Sequence, residues 1–219
     1  MKFPILASFI LMCVFAAIGM RRTSRKFEQK EQNFWDRERE SNNVRKKSLD
    51  ALEYIHIPVD LLPFGTAEDN ATLEAAEEEV LALKDEKIVN FTGITNTDLK
   101  LEYGTANITA LSQYDQNYTA LVVSLQKWGE ALYNAGRFED ACHVLEFAVK
   151  TRTDISATYR LLIDMYKTKL GYNEARIKEK LEGLLPIAKN LNALSRNQIL
   201  NMLAAEGVEP SPLTHNHPI

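Results

Sequence analysis

Cysteine is scarce. Only Cys13 and Cys142 occur among 219 residues. A disulfide framework needs several paired cysteines and a structural zinc site needs about four clustered ligands, so neither is expected. Histidine is equally sparse. His56, His143, His215 and His217 show no helical metal spacing, and no metal is expected. A charge excess is also missing: the net charge is −4 and the pI near 5.7, without the basic balance of a nucleic-acid binder. No glycine run can cradle a phosphate, and no Ser/His/Asp or Cys/His set stands in a supporting context. No catalytic residue, no cofactor and no enzymatic activity are expected.

What is present is helical patterning around one stretch. Leu121–Lys150 reads as two amphipathic helices separated by a tight turn at Asn134-Ala135-Gly136. A helix pair of this kind cannot bury both apolar faces by itself, so neighbours must pack on it.

The chain before it falls into contrasting pieces. Residues 3–20 carry no charge, near the shortest length of a transmembrane helix. Lys2 precedes the run and Arg21, Arg22, Arg25 and Lys26 follow it, so the positive-inside rule puts the C-terminal bulk in the cytoplasm. The expectation is a single-pass anchor, residues 1–20, in the cell membrane with its N-terminus outside. The four basic residues are placed to touch anionic headgroups. The rival is export, with cleavage after Ala16 or a lipid on Cys13.

Residues 21–49 form a charged juxtamembrane helix, with ten basic residues against five acidic ones, a net +5. Phe27, Phe34 and Trp35 give it a sparse apolar stripe. From Asp50 to Lys87 the balance inverts to eleven acidic against two basic, a net −9. This linker, residues 50–96, holds an apolar segment, Tyr54–Gly65. Pro58 and Pro63 keep that segment extended, and it is expected to lie on the helical domain. A helix is expected over Glu68–Asp85. An extended connector follows at Ile88–Ile94, with Phe91 and Ile94 buried.

The helical domain is expected over 97–207. Thr97 reads as the cap of a helix at Asp98–Tyr103, and Gly104 as its possible break. Ser195 with Gln198 reads as a capping box for a last helix. Pro186 is expected to kink or restart the helix before it. Residues 208–219 read as a disordered tail. Asn-x-Ser/Thr triplets at Asn70, Asn90, Asn107 and Asn117 are inert in a cytoplasmic chain.

The central stretch resembles a tetratricopeptide repeat, a helix-turn-helix unit of 34 residues. Counting from Val122, the residues Leu125, Trp128, Gly129 and Leu132 fall at the family's first-helix positions. Gly136 and Phe138 match the turn, and Ala141, Leu145 and Ala148 match the second helix. Thr153 replaces the usual closing proline. A degenerate second repeat, about 156–189, keeps Tyr159, Leu162, Tyr166, Tyr172 and Ala175, with its turn glycine displaced by one to Gly171.

The resemblance implies an all-α fold: an N-terminal transmembrane helix plus a short helical-hairpin array with flanking helices, from Asp98 and from Ser195, as caps. About three repeats are needed for stability without such caps. It also implies a concave face that binds a protein or peptide partner. By position, that face takes Val123, Gln126, Glu130, Tyr133 and Asn134 from the first repeat. From the second it takes Ala157, Arg160, Asp164, Lys167 and Thr168. Gln126 and Glu130 do not fit the family's carboxylate clamp, while Arg160 and Lys167 suit an acidic peptide.

Overall fold

The structure, a computed structural model, describes residues 3–67 and 70–208, without the side chains of residues 3–10, 14 and 17. All its regular elements are helical, which makes the described chain all-α. It divides into two compact units, residues 1–49 with 95–108 and residues 50–94 with 109–219.

The first unit is built on α1, Phe3–Asn42, a helix of 40 residues. The uncharged run and the charged stretch are therefore one continuous helix, and chain 43–49 is not helical. Among the described residues no helix is long and apolar enough to cross a membrane. Eight residues of the uncharged run, Phe3–Ile10, together with Val14 and Ala17, have side chains outside the described set.

α3, Asn96–Tyr103, packs on the end of α1. Arg37 pairs with Asp98 at 2.6 Å, Glu38 with Lys100, and Thr97 donates to Glu38 at 2.8 Å. Thr97 thus serves the α1 contact and is not the cap. Thr95 caps α3, accepting from the Asp98 amide while the Asp98 carboxylate accepts from the Thr95 amide. The sequence reading was two residues late because either threonine precedes a helical run. Gly104 ends α3 with φ +86, and an added Cβ would lie 2.4 Å from the Arg45 carbonyl oxygen. Both strain and a backbone clash oppose a side chain there. Gly104→Ala is expected to destabilise this unit by about 1–3 kcal/mol. Amide exchange in α3 checks it, and unchanged protection would contradict it.

The second unit centres on two antiparallel hairpins. α4, Ile108–Asn134, is far longer than a repeat's first helix, and α5, Phe138–Lys150, returns along it. Leu121, Leu125, Trp128 and Leu132 of α4 recur at three- and four-residue steps, all fully buried. The turn is a Schellman motif: Arg137 N–H donates to Leu132 C=O at 2.9 Å and Gly136 N–H to Tyr133 C=O at 3.0 Å. Gly136 supplies the required φ of +77. At Gly129 the two helices nearly touch, since an added Cβ would fall 2.3 Å from a Leu145 methyl.

The second hairpin is α6, Ser156–Asp164, and α7, Glu174–Lys189. Between them Met165–Lys169 winds as a π-helix, with Leu170 N–H donating five residues back to Met165 C=O. A π-turn accommodates one extra residue. It therefore absorbs the one-residue displacement of Gly171. Pro186 lies inside α7 without ending it, because α7 continues to Lys189.

α8, Arg196–Ala205, closes the array through buried Ile199 and Leu203. Ser195 stands at the N-cap position of α8 with φ −71 and ψ −13, but its hydroxyl makes no hydrogen bond among the described residues, so no capping box forms. The tail from residue 209 to 219 lies outside the described residues.

The other end of the array is covered by residues 54–94. The cover is formed by α2, Ala71–Leu81, and by the extended segment before it. Asn70 caps α2 by accepting from the amides of Thr72 and Leu73, so α2 starts later than expected. Glu68 and Asp69 lie outside the described residues. Leu73, Ala76 and Val80 enter the common core.

The proline-bearing segment does lie on its own domain. Ile57 and Leu62 are buried, and the Phe64 ring lies 4.6 Å from that of Trp128. Arg137 donates to both the carbonyl and the hydroxyl of Thr66, and Gly65 N–H donates to Glu77 at 2.9 Å. In the connector, Ile88, Val89 and Phe91 are buried, but Ile94 is exposed, because the chain turns at Phe91–Ile94. Asn192 donates to the Gly93 carbonyl at 3.1 Å and pins the turn.

Candidate protein-interaction site

Ten residues were expected on the partner-binding face, and the fold uses several of them internally. Gln126 is only 8% exposed. It accepts from Thr158 at 2.5 Å and donates to Glu130 at 2.7 Å, so it joins α4 to α6. Tyr133 donates to Asp164 at 2.6 Å. Lys169 stands over the rings of Tyr133 and Phe138, 5.9 and 5.5 Å from their centroids. Lys167 pairs at 2.5 Å with Glu206, which caps the end of α8. Arg160 and Asn134 are exposed and make no hydrogen bond or ion pair among the described residues. Val123 is 42% exposed, an apolar side chain open to solvent on the same helix.

The face is therefore divided. Its interior members hold the two hairpins in register. Val123, Asn134 and Arg160 stay exposed and are not spent on internal contacts. Glu79 of α2 accepts from Ser124 at 3.1 Å and from Lys127 at 2.9 Å, tying α2 beside the exposed part of α4. A shallow groove of about 590 Å³ runs between α2 and α4, with Ala71, Ala75 and Ala131 on its floor and Glu130 and Asn134 at its edge.

A second polar cluster lies on the opposite helices, α5 and α7. Glu146 accepts from Tyr166 and from Lys180, each at 2.7 Å, and from Cys142 at 3.5 Å. Burial pulls the Glu146 carboxyl upward, but the Lys180 and Tyr166 hydrogen bonds outweigh it and hold the group below its ordinary 4.5. Burial, then the neighbouring carboxylate, pushes the Cys142 thiol up to about 12. A thiol held protonated at neutral pH is a poor nucleophile and metal ligand. Among the described residues no group of three or more His, Cys, Asp and Glu is arranged to hold a metal ion.

Sequence reading missed this cluster, although it left a signal. Glu146 and Lys180 are 34 apart, one repeat length, so they occupy the same register in successive second helices. Opposite charges at matched positions face each other across adjoining hairpins.

The depressed carboxyl gives a pH dependence. A group whose folded value lies below its unfolded one stabilises the fold above the unfolded value, and that contribution disappears as pH falls through the folded value. Glu146→Gln is expected to cost about 1.5–3 kcal/mol at pH 7, the range for hydrogen bonds to a charged group. At pH well below 4.5 the cost shrinks toward zero. Urea unfolding at both pH values measures this, and an equal loss at each would contradict it.

No family model, curated protein or solved structure matches this chain.

Proposed function

We propose that this protein is a membrane-anchored, tetratricopeptide-like scaffold or adaptor whose helical domain faces the cytoplasm and binds a protein partner. The observation that carries the reading is the division of the first-helix face. Gln126, Tyr133, Asp164 and Lys167 are spent on internal contacts, while Arg160, Asn134 and Val123 stay exposed on successive hairpins. An apolar side chain flanked by unpaired polar groups on a rigid helical platform is what a peptide-binding surface needs. A binding role also suits the chemistry on the other face, where the one thiol of the array is held protonated.

The anchor reading rests on the uncharged run and the basic residues after it. Helix α1 is continuous through both. Leu11, Met12, Phe15, Ile18 and Met20 are all exposed along it, an arrangement suited to lipid rather than water. Arg21, Arg22, Arg25 and Lys26 are exposed directly after them, and basic residues so placed suit anionic headgroups.

Three experiments test the proposal. A reporter that fluoresces only in the cytoplasm, fused to Ile219, is expected to be bright; a dark fusion would refute the topology. Sequencing the mature N-terminus is expected to find the run intact, whereas a start near Ala17 or a lipid on Cys13 would show an exported binding protein. Pull-down from membranes with Arg160→Glu is expected to lose partners that the wild type retains.

A further inference from the structure

We propose that the cleft between α5 and α7 is a second binding site, one that takes a peptide segment carrying an acidic side chain next to a basic one. The cleft has a volume of about 600 Å³, within the usual range of ligand pockets. It lies on the second helices of the hairpins, away from the face carrying Arg160.

Its charges are of two kinds. Lys180 is already held by Glu146 at 2.7 Å, so that pair forms a neutral floor. Arg176 is different. Its guanidinium stacks on the Tyr172 ring, 4.0 Å from the centroid, and it has no ion-pair partner among the described residues. Stacking fixes the plane of the guanidinium and leaves its N–H edge free for a bidentate carboxylate. On the facing wall, from α5, Glu139 is exposed and also lacks a cationic partner among the described residues.

The cleft therefore presents one unspent positive group and one unspent negative group on opposite walls. Two carboxylates, Glu139 and Glu146, line the same space. They disfavour a phosphate dianion, whose second charge would face them uncompensated. A carboxylate side chain seats on Arg176 without that cost, and an adjoining basic side chain meets Glu139. Both features together select a mixed-charge peptide over a free anion.

The test uses NMR of the full chain in detergent micelles, following the backbone amides of Gly171 and Tyr172. The probes are capped Gly-Glu-Lys-Gly, capped Gly-Gln-Lys-Gly and inorganic phosphate at matched ionic strength. The Glu–Lys probe is expected to produce saturating shifts, and the other two only small linear ones. Arg176→Gln and Glu139→Gln, both at exposed positions, are each expected to weaken the Glu–Lys probe at least several-fold, with the rest of the spectrum unchanged. Arg160→Glu is expected to leave the titration as it is, so failure of the first-helix face and failure of this cleft are separable. Equal shifts with the Gln probe, saturation by phosphate, or undiminished binding in Arg176→Gln would each overturn the proposal.

Discussion

Replacing Trp128 with alanine is expected to destabilise the helical unit by about 3–5 kcal/mol, the cost of deleting a large buried aromatic side chain. Trp128 is fully buried in α4, at the point where the array meets its covering segment. Its ring lies against Phe64 at 4.6 Å, tilted by 39°. The indole N–H makes no hydrogen bond among the described residues, so the loss is one of packing and not of a polar contact. Two consequences follow from that. Trp128→Phe should retain much of the stability, since it keeps an aromatic ring and removes an unmatched donor. The double variant with Phe64→Ala should be non-additive by about 0.5–1.5 kcal/mol, the usual coupling of an aromatic pair. Urea unfolding followed by far-ultraviolet circular dichroism gives all four corners of the cycle. Strict additivity would mean that the covering segment is not held by this contact.

Gly129→Val is expected to be nearly as damaging, for the opposite reason. Trp128 fills space, whereas Gly129 yields it. An added Cβ would lie 2.3 Å from a Leu145 methyl and 2.5 Å from its Cγ, and Leu145 is itself fully buried. The branch carbon is not a free end, so the helices must separate or Leu145 must leave its rotamer. Overpacking of this kind costs about 1–3 kcal/mol, and a β-branched residue adds further crowding within the helix. Gly129→Ala introduces the same Cβ, but gains about 1 kcal/mol of helix propensity, which offsets part of the loss. The expected order of stability is therefore wild type, then alanine, then valine. An alanine variant more stable than wild type would show that α4 and α5 are not in close contact at that point.

These two neighbours also show how far the fold was legible in the sequence. Gly129, Ala141 and Gly136 were placed by the resemblance to a helix-turn-helix repeat, and a tight hairpin leaves few residue types possible at those positions. The displaced Gly171 was visible as an irregularity, and its cause, the π-turn at Met165–Lys169, is a backbone adjustment that no side chain announces. The caps were less readable. Thr95 and Thr97 are chemically equivalent candidates, and only the contact of Thr97 with Glu38 separates them. Ser195 and Gln198 have the right spacing for a capping box, yet Ser195 lies already inside the helical backbone region.

Long-range choices were harder still. Asn117 accepts from Gln113 and donates to the Lys87 carbonyl, and Asn107 donates to the carbonyls of Lys47 and Tyr103. Both asparagines stood out in the sequence only as triplet matches, and both are buried structural groups. The proposed partner face was legible as a set of positions and not as a set of free groups. Which members are available depends on partners such as Thr158 and Glu206, which lie 32 and 39 residues away.

The most direct test of the central claim, that the exposed part of the first-helix face binds a protein, is site-specific photo-crosslinking in intact cells. A photoreactive residue at Val123 or Arg160 is expected to capture the same partner. One at Asn197, exposed on α8, is expected to capture none. Identical products from all three positions, or no product from the first two, would contradict the account.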